Sequence, residues 1–143
     1  MKQFNPQPKP NYTEQKIAKV KAEDAAYETL LKEVYRIHGK RCYSGNKCLS
    51  KILRRPDSVT PGHILPRGRE GRIDTIENII PQCKACNGAS MNGTDAYGKR
   101  MTGDEFTLMI LEQHEKEPGF IHQAEIEYLR RIVEKQQIER VTK

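Results

Sequence analysis

Every thiol of this 143-residue chain lies in two short clusters, Cys42/Cys48 and Cys83/Cys86. The spacings are C-x5-C and C-x2-C, with 34 residues between the pairs. Four thiolates so arranged suit one tetrahedral Zn²⁺, and two disulfides are the alternative. A single histidine, His63, stands between the pairs in P-G-H-I-L-P. Asn78 follows in E-N-I-I-P-Q-C, and Asn87 comes directly after Cys86. An imidazole that titrates near neutral pH can take a proton from water. Amide and carboxylate oxygens are ligands for a hard divalent cation. A zinc closed by four thiolates has no open coordination position, so metal-assisted hydrolysis here requires a second ion, Mg²⁺ or Mn²⁺.

The elements that must position these groups follow from local pattern. Residues 59–65 read as a short strand kinked by Pro61-Gly62. Residues 78–82 read as the return strand, and 84–92 as a short helix. The order is a cysteine knuckle, a hairpin and a helix, with the metal tying the ends together. The stretch 49–55 fits either a strand or one helical turn. Before the module, Thr13 is a plausible N-cap, and the apolar residues Ile17, Val20, Tyr27, Leu31 and Val34 fall at helical steps up to Gly39. This long amphipathic helix is expected to bury its stripe against the C-terminal helices. After the module, Thr102-Gly103-Asp104-Glu105 is a capping box. It opens a helix expected over 103–116, with Phe106, Met109, Ile110 and Gln113 on one face. Pro118-Gly119 ends that helix, and a last one is expected over 121–139. Residues 1–12 hold three prolines and read as a flexible arm. The expected division is therefore an arm over 1–12, a helix over 13–39, the zinc module over 40–100 and a helical extension over 101–143.

Composition supports a metal staple. Apolar residues make up 36% of the chain, which is little for a domain of this size. The opening residues lack the apolar run of a secretory signal, and no stretch is long and apolar enough for a membrane span. A cytoplasmic location is expected, where thiols stay reduced and zinc is favoured over disulfides. Net charge is +6, yet residues 36–72 alone carry ten Lys/Arg against Asp57 and Glu70. A basic segment that encloses His63 points to phosphate binding, with Arg54, Arg55, Arg67, Arg69 and Arg72 as the candidate contacts. His38, His114 and His122 lack such a context and are expected at the surface or at helix ends.

From Lys40 to Gly93 the chain resembles the HNH endonucleases built on a treble-clef zinc scaffold, phage-borne members in particular. The resemblance rests on the order His63-Ile64-Leu65-Pro66, the glycine-rich turn 68–71, Asn78, and C-x-x-C-N at Cys83–Asn87. It implies a catalytic set of His63, Asn78 and Asn87. His63 would be the general base, Asn78 the residue that fixes the base and its loop, and Asn87 a ligand of the catalytic Mg²⁺ or Mn²⁺. Two positions depart from that pattern. Gly62 stands where the family usually has Asp or His, and Ser90 stands where a basic residue is common. Asp57, Asp74 and Glu77 are the candidates for the absent carboxylate. An Asp placed at 62 is expected to tighten the metal site if the strand tolerates a side chain.

The expected fold is α+β: a treble-clef ββα zinc module flanked by one N-terminal and two C-terminal helices. The expected function is metal-dependent DNA cleavage, with DNA as partner and a phage or host protein docking through the helices. The alternative is a catalytically inactive zinc module that binds DNA or a protein complex. A structural adaptor for a larger nuclease is the third reading.

Overall fold

A computed structural model of the protein describes residues 13–54, 58–65 and 74–141. The expected arm over 1–12, and Arg55, Asp57, Arg67, Arg69 and Arg72 of the basic segment, lie outside the described residues. The architecture is α+β. It has five α-helices and one two-stranded antiparallel sheet among the described residues.

Helix α1 spans Glu14–His38. The Thr13 hydroxyl caps it by accepting from Lys16 N at 3.4 Å. Gly39, at φ 75°, ends it by donating its N–H to Tyr35 O at 2.9 Å. Its stripe does not face the C-terminal helices as expected. Ile17 and Val20 remain 45% and 48% exposed, while Val34 is fully buried. The C-terminal part of α1 packs on strand β2 and on the 3₁₀ turn Ile76–Asn78. The physical reason is competition for partners. Helices α4 (Gly103–Glu112) and α5 (Gln123–Val141) cover each other, and α4 also covers helix α3 (Lys84–Asn92). The sheet is left to take α1.

Strands β1 (Val59–His63) and β2 (Ile79–Cys83) pair in the register Val59↔Cys83 through His63↔Ile79. Pro61 lies opposite Pro81. Neither can donate to a ladder, so the pair must occupy a position where N–H groups point outward. The outward carbonyl of Pro81 is used all the same: it accepts from Tyr43 N at 2.7 Å. The knuckle is thereby laid against the sheet. The ambiguous stretch after Cys48 is one helical turn, α2 (Leu49–Ile52).

The C-terminal helices form the centre of the core. Phe106, Ile110, Leu111, Ile126 and Leu129 are fully buried, and they join Cys83, Cys86 and Ile80 in one apolar cluster. The capping box forms as read, with Thr102 Oγ1 accepting from Glu105 N and Glu105 Oε1 accepting from Thr102 N. The helix expected over 103–116 stops at Glu112 because the next turn reaches back to the knuckle. Gln113 Nε2 donates to Ser44 O at 2.9 Å, and His114 Nε2 donates to Tyr43 O at 2.7 Å.

The three histidines lie at helix ends, one of the two places expected, and they are structural: His38 closes α1, His114 follows the end of α4 and His122 precedes α5. His122 is fully buried and gives its Nδ1 proton to Glu77 O. Its ring stacks on His38 with 5.2 Å between centroids. Tyr43 packs against all three rings. Burial holds the His38 pKa down at about 4 and lowers that of His122 as well. Both rings are neutral near pH 7 and behave as aromatics with one donor to satisfy.

Helix α4 begins in close contact with the end of α3. A Cβ at Gly103 would stand 2.1 Å from Ser90 O, a backbone atom that cannot swing away. Gly103→Ala is expected to destabilise the fold by about 1–3 kcal/mol through overpacking, read as a lower urea midpoint at unchanged m-value.

Candidate functional site

The four cysteines converge from three elements. Cys42 and Cys48 flank the 3₁₀ turn Gly45–Lys47, Cys83 ends β2, and Cys86 lies in the first turn of α3. Their sulfurs all lie within 4.8 Å of one another. Cys48 Sγ and Cys83 Sγ are 3.7 Å apart. Tetrahedral zinc with Zn–S bonds of about 2.3 Å requires sulfurs about 3.8 Å apart. The donor set therefore fits a structural metal such as zinc. All four thiols are free, so the disulfide alternative does not hold.

The surroundings suit sulfur that carries negative charge. Leu49 N donates to Cys86 Sγ at 3.3 Å, Cys86 N to Cys83 Sγ at 3.4 Å, and Ser50 Oγ to Cys83 Sγ at 3.1 Å. Hydrogen bonding from Cys86 holds the Cys42 thiol down at about 4, while the same contact and burial push Cys86 up. A divalent cation among the four sulfurs would displace their protons, since thiolate is the form that binds a metal.

One end of the hairpin is organised around His63. Its Nε2 lies 2.8 Å from Asp74 Oδ1, and its side chain is 21% exposed. Of the three carboxylates considered from sequence, Asp74 thus sits on the imidazole. Glu77 instead lends its backbone oxygen to His122. Asn78 is fully buried and holds the residues just after His63. Its Oδ1 accepts from Leu65 N at 2.9 Å, its Nδ2 donates to Leu65 O at 3.2 Å, and its carbonyl accepts from Ile64 N at 2.8 Å. This two-pronged grip is more than the turn hydrogen bond a lone Asn usually makes.

Asn87 is aimed at the residue just before His63. Its Oδ1 lies 3.2 Å from the point a Cβ at Gly62 would occupy. That point is already taken, because Gln82 Oε1 lies 2.0 Å from it. The strand does not tolerate a side chain at 62 on the expected terms: an Asp there has to displace the Gln82 amide. Sequence reasoning missed Gln82, and it noted Ser90 only as a departure from the family pattern; Ser90 Oγ accepts from Gln82 Nε2 at 2.9 Å. The available signal was Gly62 itself, since an absent side chain beside a close-packed helix leaves room for a neighbour. Among the candidate phosphate contacts, Arg54 is described. It is exposed and has φ 54°, an uncommon conformation for a residue other than glycine.

Elemental analysis is expected to find one Zn²⁺ per chain, with all four thiols reduced by mass spectrometry. Cys86→Ser is expected to lose the ion together with the cooperative unfolding transition, because metal binding and folding share one free energy. A zinc-free protein that unfolds cooperatively would contradict this.

No curated protein and no solved structure matches the chain. No helix among the described residues is long and apolar enough to cross a membrane. The span 46–93 takes in His63, Asn78, Asn87 and three of the four cysteines, with Cys42 just ahead of it. That span, about a third of the chain, matches the HNH endonuclease family model.

Proposed function

We infer that the chain is a metal-dependent endonuclease of HNH type that hydrolyses phosphodiester bonds in DNA. On this reading its zinc is structural and the zinc-bound segment has the treble-clef arrangement. The observation that carries the inference is the setting of His63. It ends β1 inside the family match, its Nε2 meets Asp74, and Asn78 grips the backbone just beyond it.

The chemistry follows from that setting. With Nε2–H donating to Asp74, Nδ1 keeps a lone pair and can accept a proton from the attacking water. Asp74 then faces the imidazolium as it forms and lowers its energy. Asn78 acts as a positioning residue, because it touches the backbone on which His63 is carried. A divalent cation, Mg²⁺ or Mn²⁺, would supply positive charge to the scissile phosphate and the leaving oxygen. Asn87 offers an amide oxygen for it. Arg54, Arg55, Arg67, Arg69 and Arg72 belong to the basic segment that would hold the DNA backbone.

A second reading, a binding module without catalysis, draws on Gly62, which offers no ligand where the family usually has one. The two readings separate at His63. In a plasmid-nicking assay with Mg²⁺ or Mn²⁺, His63→Ala is expected to lower the rate about 10²–10⁴-fold while leaving zinc content and DNA affinity intact. Asp74→Asn is expected to lower kcat with little change in KM, since Asp74 supports the base and not the substrate. A wild-type protein that binds DNA but never nicks it, with His63→Ala silent in every assay, would leave the binding module standing.

Neutralising Arg67, Arg69 and Arg72 together is expected to weaken DNA binding and flatten its salt dependence. The log–log slope should fall by about one unit for each phosphate that is no longer neutralised. An unchanged slope would place the phosphate-binding residues elsewhere.

A further inference from the structure

Gly62 and Gln82 lie on the same face of the hairpin. Gly62 pairs with Ile80, and Gln82 follows two residues later, so both look toward α3. Gln82 is 1% exposed. Its Nε2 is committed to Ser90 Oγ at 2.9 Å, which turns its Oε1 toward Gly62 and Asn87. Among the described residues, that oxygen accepts no hydrogen bond, and the Asn87 side chain makes none. Two amide oxygens therefore converge, without donors, on the space a side chain at 62 would fill.

We propose that Gln82 is a ligand of the catalytic divalent cation, its Oε1 joining Asn87 Oδ1 and taking over from the carboxylate that Gly62 cannot supply. The proposal rests on the nuclease reading above. Amide oxygens are hard donors suited to Mg²⁺ and Mn²⁺, but they bring no charge. Two neutral ligands bind such an ion weakly, and the DNA phosphate must provide the balancing negative charge. Metal and DNA are then coupled, each raising the affinity of the other by the same factor. The Gly62/Gln82 pair is a spatial exchange: the ligand moves from β1 to β2 and keeps its place against α3.

The test is a Mn²⁺ titration followed by the electron paramagnetic resonance signal of the free ion. It uses the zinc-loaded full chain carrying His63→Ala, with and without a short duplex that this background leaves uncut. Added duplex is expected to tighten Mn²⁺ binding. Gln82→Ala is expected to weaken it about tenfold or more, and Gln82→Glu to tighten it about tenfold and reduce the dependence on DNA. Gln82→Glu can keep the Ser90 contact, since the hydroxyl can turn to donate. Zinc content and circular dichroism verify each fold. Should Gln82→Ala fail to fold, Gln82→Glu decides alone. Equal Mn²⁺ affinity for the parent and the folded Gln82 variants, while wild type nicks DNA with Mn²⁺, would overturn the ligand assignment and leave the nuclease reading intact. A parent that binds no Mn²⁺ with DNA present, together with a wild type that never nicks, would overturn both.

Discussion

Four sulfurs within 4.8 Å of one another set the terms for the rest of the molecule. Thiolates at that distance repel unless a cation lies among them, and the segments that carry them share little else in sequence. Once they are joined, the knuckle, the end of β2 and the start of α3 have one relative position. Cys83 serves twice in this. It ends the strand, and its sulfur caps the helix by accepting from Cys86 N. The strand-to-helix corner is therefore as well defined as the cluster. Asn87, the next residue after Cys86, inherits that definition.

The hairpin is held just as closely on its other side. Asn78 closes two hydrogen bonds on Leu65, and its carbonyl takes Ile64 N. His63 is thus fixed through the backbone that follows it, while α3 presses on Gly62, the residue that precedes it. A glycine there is a close-approach residue, needed because the Gln82 amide occupies the volume of a Cβ. A side chain there meets Gln82 first.

The helices outside the hairpin do more than cover it. The turn after α4 returns to the knuckle through Gln113 and His114, and the approach to α5 returns to the hairpin through His122. Each bond ends on a backbone carbonyl of Ser44, Tyr43 or Glu77, which flank the cysteines or the buried Asn78. Imidazole rings suit this work because each can fill apolar space and still donate to a carbonyl. The N-terminal half of α1 stands apart from these ties, with Ile17 and Val20 exposed.

Much of the fold was legible from residue type and spacing. Paired cysteines announced a metal cluster, the T-x-x-E box announced α4, and Thr13 and Gly39 marked the ends of α1. Each is a local signal, produced by chemistry within a few residues. The α+β class was legible for the same reason, whereas the roles expected of His63, Asn78 and Asn87 came from the resemblance to the HNH family and not from local chemistry. What the tertiary structure alone decided is which groups meet. The sequence offered three carboxylates near His63 without ranking them, and the hairpin's return path put Asp74 on its Nε2. It showed an amphipathic stripe on α1 but not its partner, because α4 packs on both α3 and α5 and leaves the sheet to α1. It showed a missing side chain at Gly62 but not that Gln82, 20 residues later, fills the gap. Side-chain contacts across paired strands depend on register, which pairs Gly62 with Ile80 and so puts Gln82 on the same face as Gly62.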